Sequence, residues 1–116
     1  MKNMTDAEFI EKVTELDAEV QALADAATGA NAQYLYSQAA HYTGQAATLH
    51  LRERQWHDLS QSYIYGFNLR EAASKLRIVN KPLARRANRL ANLIDPPATK
   101  ADRYDYDRPD YYPGVR

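Results

Sequence analysis

The first 81 residues contain no proline, while four of the five prolines lie at or beyond Pro96. Because proline disrupts the interior of a helix, such a long proline-free segment is free to be helical. Alanine, the strongest helix former, supplies 19 of the 116 residues, whereas Leu, Ile, Val and Phe together supply only 21. The sequence therefore predicts an all-α protein with a thin core.

The first 49 residues are predicted to contain an antiparallel hairpin of two helices. Thr5 and Glu8 have the spacing of a capping box, which indicates that a first helix begins there. We expect it to end at Thr28 and Gly29, because glycine takes the left-handed conformation of a helix C-cap without a steric penalty. Two stripes with alternating intervals of four and three residues favour the hairpin; their main members are Phe9, Val13, Leu16, Val20 and Leu23, then Leu35, Ala39, Tyr42, Ala46 and Leu49.

The second helix is predicted to be long, since only Gly44 would weaken it before Gly66. Its distal half carries the bulkiest apolar residues of the chain. We expect these residues to form the core or the contact surface of a dimer: Trp56, Leu59, Tyr63, Ile64 and Phe67. Tyr36 and Tyr65 are expected to project outward.

Two short basic helices are predicted after Gly66. The pair Asn68 and Glu71 indicates a cap for a helix over residues 69–79. Asn80 and Pro82 then indicate a new start for a helix over residues 81–94, because proline is tolerated in a first helical turn. Residues 1–95 are thus predicted to form one helical domain, and residues 96–116 an extended tail rich in Tyr, Asp and Pro.

Charge is segregated along this formally neutral chain. Residues 1–31 carry seven acidic and two basic residues, whereas residues 68–94 carry seven basic residues and only Glu71 as an acid. Such asymmetry favours an anionic partner for the basic segment. The alternative is that the acidic first helix lies against the basic fourth helix, in the same or a neighbouring protomer.

Residues 69–90 resemble a helix-turn-helix, although Arg77 stands where the turn glycine usually is. In that motif the second helix lies in the major groove of DNA, where Arg bonds guanine, Asn bonds adenine and Lys contacts phosphate. The resemblance implies a DNA-binding regulator. Its candidate DNA contacts are Arg77, Lys81, Arg85, Arg86, Asn88 and Arg89. The alternative structure is an ordinary pair of amphipathic helices with a basic outer face.

Nine tyrosines support a second hypothesis, in which the chain binds a protein partner. Aromatic side chains are enriched at protein interfaces. The candidate partner contacts are Trp56, Tyr63 and Phe67 on the helices and Tyr104, Tyr106, Tyr111 and Tyr112 in the tail. The small supply of large apolar residues also predicts a homo-oligomer. Under this hypothesis the chain is a structural, adaptor or inhibitory component of a bacteriophage or mobile element, and is virion-associated.

Neither catalysis nor a cofactor is expected. The chain has no nucleophile elbow, no glycine-rich phosphate loop and no cysteine. His50, Glu53 and His57 share one helical face, but no second ligand set accompanies them, so no metal site is predicted. No run approaches the roughly 18 apolar residues of a membrane span, and we expect a cytoplasmic protein unless it is part of a virion.

Overall fold

The computed structural model describes residues 4–52 and 62–96, which fold into four α-helices with no strand among them. The helices are α1 (Asp6–Ala26), α2 (Ala30–Arg52), α3 (Ser62–Val79) and α4 (Lys81–Ile94). Each helix packs against the next along the chain, and α4 also contacts α1. The all-helical prediction is therefore confirmed for this part of the chain. The predicted tail from residue 97 onward lies outside it.

Helix α1 begins as the sequence predicts. The Thr5 hydroxyl accepts a hydrogen bond from the Glu8 amide at 3.1 Å, and the Thr5 amide donates to the Glu8 carboxylate at 3.0 Å. The helix ends at Ala26, with Ala27 as its cap, rather than at Gly29. Gly29 does take a positive φ of 93°, but its carbonyl accepts from the Gln33 amide at 3.0 Å. Its role is thus to begin α2.

A buried polar contact sets the register of α1 against α2. The Thr43 side chain is fully buried, and its hydroxyl donates to Asp17 Oδ1 at 2.8 Å. The Gln21 amide donates to the same oxygen at 3.0 Å and to the Ala40 carbonyl at 3.1 Å. These pairs show that α1 and α2 run in opposite directions. A slip would remove Asp17 from the buried Thr43 hydroxyl and leave it only the longer bond to the Ala40 carbonyl of its own helix, at 3.3 Å.

The predicted long second helix and the predicted helix start at residue 69 are both wrong. Helix α3 begins at Ser62 and continues without a break through Gly66 and Asn68. It packs back along α2, where the rings of Phe67 and Tyr42 meet edge to face with centroids 6.4 Å apart. Two helices that lie side by side cannot be one continuous helix, so α2 and α3 are separate helices.

The first turns of α3 differ from the prediction, whereas Leu69, Ala72, Ala73 and Leu76 are buried as their spacing predicts. Tyr65, expected to project outward, is only 2% exposed and meets Phe9 of α1 edge to face at 5.6 Å. Tyr63, expected in the core or at a dimer contact, is 56% exposed, whereas Ile64 and Phe67 are half-buried. Trp56 and Leu59 lie outside the described residues. The buried residues that fill the core are mostly small or aliphatic and include Val13, Leu16, Val20, Ala39, Ala46, Leu69, Ala72, Leu76 and Ala87.

Helices α3 and α4 form a closed antiparallel hairpin. Only Asn80 separates them, and a Cβ atom placed on Gly66 would lie 2.8 Å from the Cβ of Asp95. Gly66 and Asp95 are each roughly four helical turns from Asn80. Helices that cross at about 90–120°, as in a helix-turn-helix, would hold two such residues far apart. In the structure, therefore, α3 and α4 lie side by side rather than crossing at such an angle.

Candidate nucleic-acid interface

Helix α4 is divided into a buried and an exposed face. Six of its apolar residues are buried in the bundle: Leu83, Ala84, Ala87, Leu90, Ala91 and Ile94. Lys81, Arg85 and Arg89 follow one another at intervals of four residues, and all three are exposed. Residues with this spacing lie one above the other on a helix, so the cations form a single line. Asn88 is exposed beside them.

The start of α4 is fixed by Asn80 and by Tyr36 of α2. The Asn80 side-chain oxygen accepts from the Leu83 amide at 3.2 Å, which confirms the predicted cap. The Tyr36 hydroxyl donates to the Val79 carbonyl at 3.5 Å and accepts from the Asn80 amide group at 3.4 Å. Tyr36 was expected to project outward, but it is half-buried against this turn. The first cation of the line therefore follows a well-anchored turn.

The far end of α4 is held by Arg70 of α3. Its guanidinium donates to the Asp95 carbonyl at 2.6 Å and to the Asn92 side-chain oxygen at 3.0 Å. It also forms a salt bridge of 3.3 Å with the Asp95 carboxylate. These contacts fix where the helix ends, and they occupy one of the seven cations of the basic segment.

Arg86 is engaged by α1. Its guanidinium lies 2.6 Å from the Glu19 carboxylate, with both side chains partly exposed. The hydrogen bond from Arg86 lowers the pKa of Glu19, and the same bond raises the pKa of Arg86. The sequence placed Arg86 among the candidate DNA contacts, whereas the structure directs it towards the acidic helix. The idea that acidic α1 lies against basic α4 thus holds for this pair.

Four cations of the basic segment remain on the surface. Arg77 in the last turn of α3 and Lys81, Arg85 and Arg89 of α4 are exposed. None of them forms a salt bridge with a carboxylate in residues 4–52 or 62–96. We call this set, together with Asn88, the basic face. It contains five of the six candidate DNA contacts, four of them on α4 and Arg77 in the last turn of α3, just before the turn at Asn80.

The candidate partner contacts are less concentrated. Tyr63 is exposed, whereas Phe67 is half-buried against Tyr42. Tyr34 and Ile78 add two further exposed side chains, at 60% and 71% exposure. The remaining candidates lie outside the described residues: Trp56, Tyr104, Tyr106, Tyr111 and Tyr112.

Tyr65 is a buried polar group that sequence reasoning missed. Within the described structure, its hydroxyl has no hydrogen-bond partner. It faces a narrow cleft lined by Asp6, Phe9, Ile10 and Ile94. Burial raises the pKa of Tyr65 to about 12, and the nearby charge of Asp6 adds to the shift. The signal for its position was its spacing of four residues from Leu69.

No other chemistry is assembled in the described ranges. They contain no group of His, Asp and Glu residues suited to holding a metal ion. His41 is exposed, and its ring nitrogen lies 3.2 Å from the Gln45 amide. Glu53 and His57, which share a predicted helical face with His50, lie outside these ranges. None of the four helices has both the length and the apolar character needed to cross a membrane.

Comparisons with known proteins identify no similar protein. No protein-family model matches this sequence, and no curated protein or solved structure shows a significant match to it. A function must therefore be inferred from the chain's own residues, above all from the basic face.

Proposed function

We propose that this chain is a non-catalytic binding protein whose basic face binds duplex DNA. The observation that carries the proposal is the set of four exposed cations, Arg77, Lys81, Arg85 and Arg89, without a described acidic partner. Lys and Arg neutralise backbone phosphates and release counterions from the DNA, which is the main source of non-specific affinity.

The closed α3–α4 hairpin favours contacts to phosphates over base reading. Because α3 runs beside α4 along its length, the basic face is a shallow surface of two helices rather than a protruding recognition helix. Successive cations of the α4 line are about 6 Å apart, given a rise of about 1.5 Å per residue. Asn88 adds a neutral hydrogen-bond donor beside them. We therefore expect binding with little sequence preference.

The test is the salt dependence of binding to a labelled duplex, measured by fluorescence anisotropy. The triple variant Lys81→Ala, Arg85→Ala and Arg89→Ala removes the cation line. If each cation contacts one phosphate, the slope of log affinity against log salt becomes shallower by about 2.7. Two duplexes of unrelated sequence are expected to bind equally.

A matched control removes three cations elsewhere, with Lys12→Ala, Lys75→Ala and Arg86→Ala. It lowers the net charge by the same amount but leaves the basic face intact, so its salt slope is expected to stay near that of the parent protein. Equal losses in the two variants would mean that only net charge matters. Absence of duplex binding by the parent protein at low salt would overturn the proposal.

Protein binding is the second candidate function, and the exposure of Tyr63, Tyr34 and Ile78 favours it. Large exposed side chains of this kind supply contact area at interfaces. A structural, adaptor or inhibitory role in a bacteriophage or mobile element belongs to this candidate. It predicts that Tyr63→Ser weakens binding to a protein partner while duplex binding stays unchanged. The opposite pattern would favour DNA.

A further inference from the structure

The outer side of α1 carries a line of carboxylates. Glu11, Glu15 and Glu19 follow one another at intervals of four residues, and all three are exposed. Glu19 bonds Arg86 of α4, but Glu11 and Glu15 form no salt bridge with a cation in the described ranges. The charge of Glu15 also helps to raise the pKa of Arg86, but without a salt bridge. The acidic line therefore ends in one carboxylate held in a salt bridge, and Glu11 and Glu15 stay exposed to a partner.

The acidic line and the cation line lie side by side at the same height. The Glu19–Arg86 pair fixes the height at one point. Phe9 and Ile10, near the start of α1, line the same narrow cleft as Ile94 at the end of α4, so α1 and α4 run in opposite directions. Glu15 is one turn from Glu19, and Arg89 is about one turn from Arg86 in the opposite chain direction. Glu15 and Arg89 are thus level with each other. They form no salt bridge with each other, nor with any other residue in the part of the chain that the structure describes.

We propose that a second copy of this chain docks on this surface, the α1–α4 face, through Glu11, Glu15, Arg85 and Arg89. A two-fold axis parallel to the helices places α1 of each copy on α4 of the other and preserves the height of every residue. Glu15 then lies opposite Arg89 of the second copy, and Glu19 is level with its Arg85. Glu11 lies beyond Arg89, towards the end of α4, and adds negative charge at that end of the interface. Such an interface is self-complementary and closes as a dimer.

The dimer is expected to be weak and sensitive to salt. Exposed ion pairs individually contribute little and are screened by added salt. The apolar contribution is small, since Leu93 is the one large apolar side chain of α4 that is exposed, at 38%. Dimers are therefore expected at low salt and high protein concentration, and monomers at high salt.

Dimerisation would also regulate the proposed function, a consequence that depends on the basic face binding DNA. The second copy covers Arg85 and Arg89, which belong to both surfaces. Duplex DNA is then expected to compete with the second copy and to shift the protein towards monomers. The dimer itself requires no DNA, so the two proposals are tested separately.

The experiment is sedimentation velocity on the full chain without DNA, at about 0.05 M and about 0.5 M salt. One variant carries Glu11→Lys and Glu15→Lys, which makes the α1–α4 face wholly basic. A second variant carries Arg85→Glu and Arg89→Glu, which makes it wholly acidic. Each variant alone is expected to remain monomeric because its like charges repel, while an equimolar mixture of the two dimerises.

The control variant carries Arg77→Glu and Lys81→Glu, which reverse the same number of charges. These two residues lie towards α3, so the variant is expected to form the dimer as the parent protein does. Circular dichroism confirms that every variant is helical. The proposal is overturned if the parent protein is monomeric at low salt, if either double variant dimerises alone, or if the mixture stays monomeric. A dimer that persists at high salt also overturns it and indicates an apolar contact, such as one around Tyr63. Failure of DNA to bind would leave these outcomes unchanged.

Discussion

Replacing Gly66 with alanine is predicted to destabilise the protein, although alanine is normally the better helix former. At an unobstructed helix position the change gains about 1 kcal/mol. At Gly66 the new Cβ would lie 2.8 Å from Asp95 Cβ and 2.9 Å from Arg70 Nη1. Relieving this overlap moves the end of α4 and disturbs the bonds from Arg70 to Asp95 and Asn92. Overpacking of this kind typically costs about 1–3 kcal/mol. After subtraction of the gain in helix propensity, we expect a net loss of up to about 2 kcal/mol.

Gly44 provides the matched control for that measurement. It also lies within a helix, but a Cβ there would meet Gln21 Nε2 at 3.5 Å and Asp17 Oδ1 at 3.7 Å, which are ordinary contacts. Gly44→Ala is therefore expected to raise the free energy of unfolding in urea, followed by circular dichroism, while Gly66→Ala lowers it. Adding Asp95→Gly removes the opposing Cβ, and Gly66→Ala should then be harmless in that background. A Gly66→Ala protein as stable as the Gly44→Ala protein would refute the close approach.

Three further substitutions probe the anchoring of the bundle. Tyr65→Phe removes a buried hydroxyl without a described partner, so urea unfolding is expected to show unchanged or up to about 1 kcal/mol higher stability. Because the pKa of Tyr65 rises from 10.0 to about 12 on folding, the parent protein loses stability as pH increases between these values, and the variant lacks that loss. Asn80→Ala removes the cap of α4 and is expected to cost about 1 kcal/mol in thermal unfolding, whereas Asn80→Asp keeps an acceptor and costs less. Glu19→Gln removes the carboxylate bonded by Arg86 and is expected to cost less than about 1 kcal/mol at neutral pH. Since folding lowers the pKa of Glu19 below 4.5, this difference should vanish in acid titrations below that range.

The starts of α1 and α4 were predictable because their caps depend on neighbours in sequence, whereas the caps predicted at Gly29 and at Asn68–Glu71 do not form. The Thr5–Glu8 box and the Asn80 cap both appear in the structure as predicted. The start of α3 was not, because the prediction gave Gly66 its average cost in a helix. In the structure the lack of a side chain at Gly66 is what admits Asp95. A close approach between residues that are distant in sequence leaves no recognisable pattern in the residues next to either of them.

The core face of α3 was predicted correctly from Leu69 onward, but the residues before Leu69 were assigned to the wrong helix. Tyr65, Leu69, Ala72 and Leu76 are spaced by four, three and four residues, and all are buried. Assigning residues 62–66 to the preceding helix detached Tyr65 from this stripe and made bulky Tyr63 look like core. Periodicity assigns a face only after the bounds of the helix are known.

The basic face shows why a charge count alone could not select the binding residues. Seven cations lie in one segment of the sequence. Which of them can bind a partner depends on which carboxylates the fold places next to them. Asp95 occupies Arg70 and Glu19 occupies Arg86, and both pairs join residues far apart in sequence. Arg85, next to Arg86 in sequence, points about 100° away around α4 and keeps its charge exposed. Adjacent arginines thus differ in role because a helix turns one towards α1 and the other towards solvent, which is why Arg85 and not Arg86 belongs to the proposed interface.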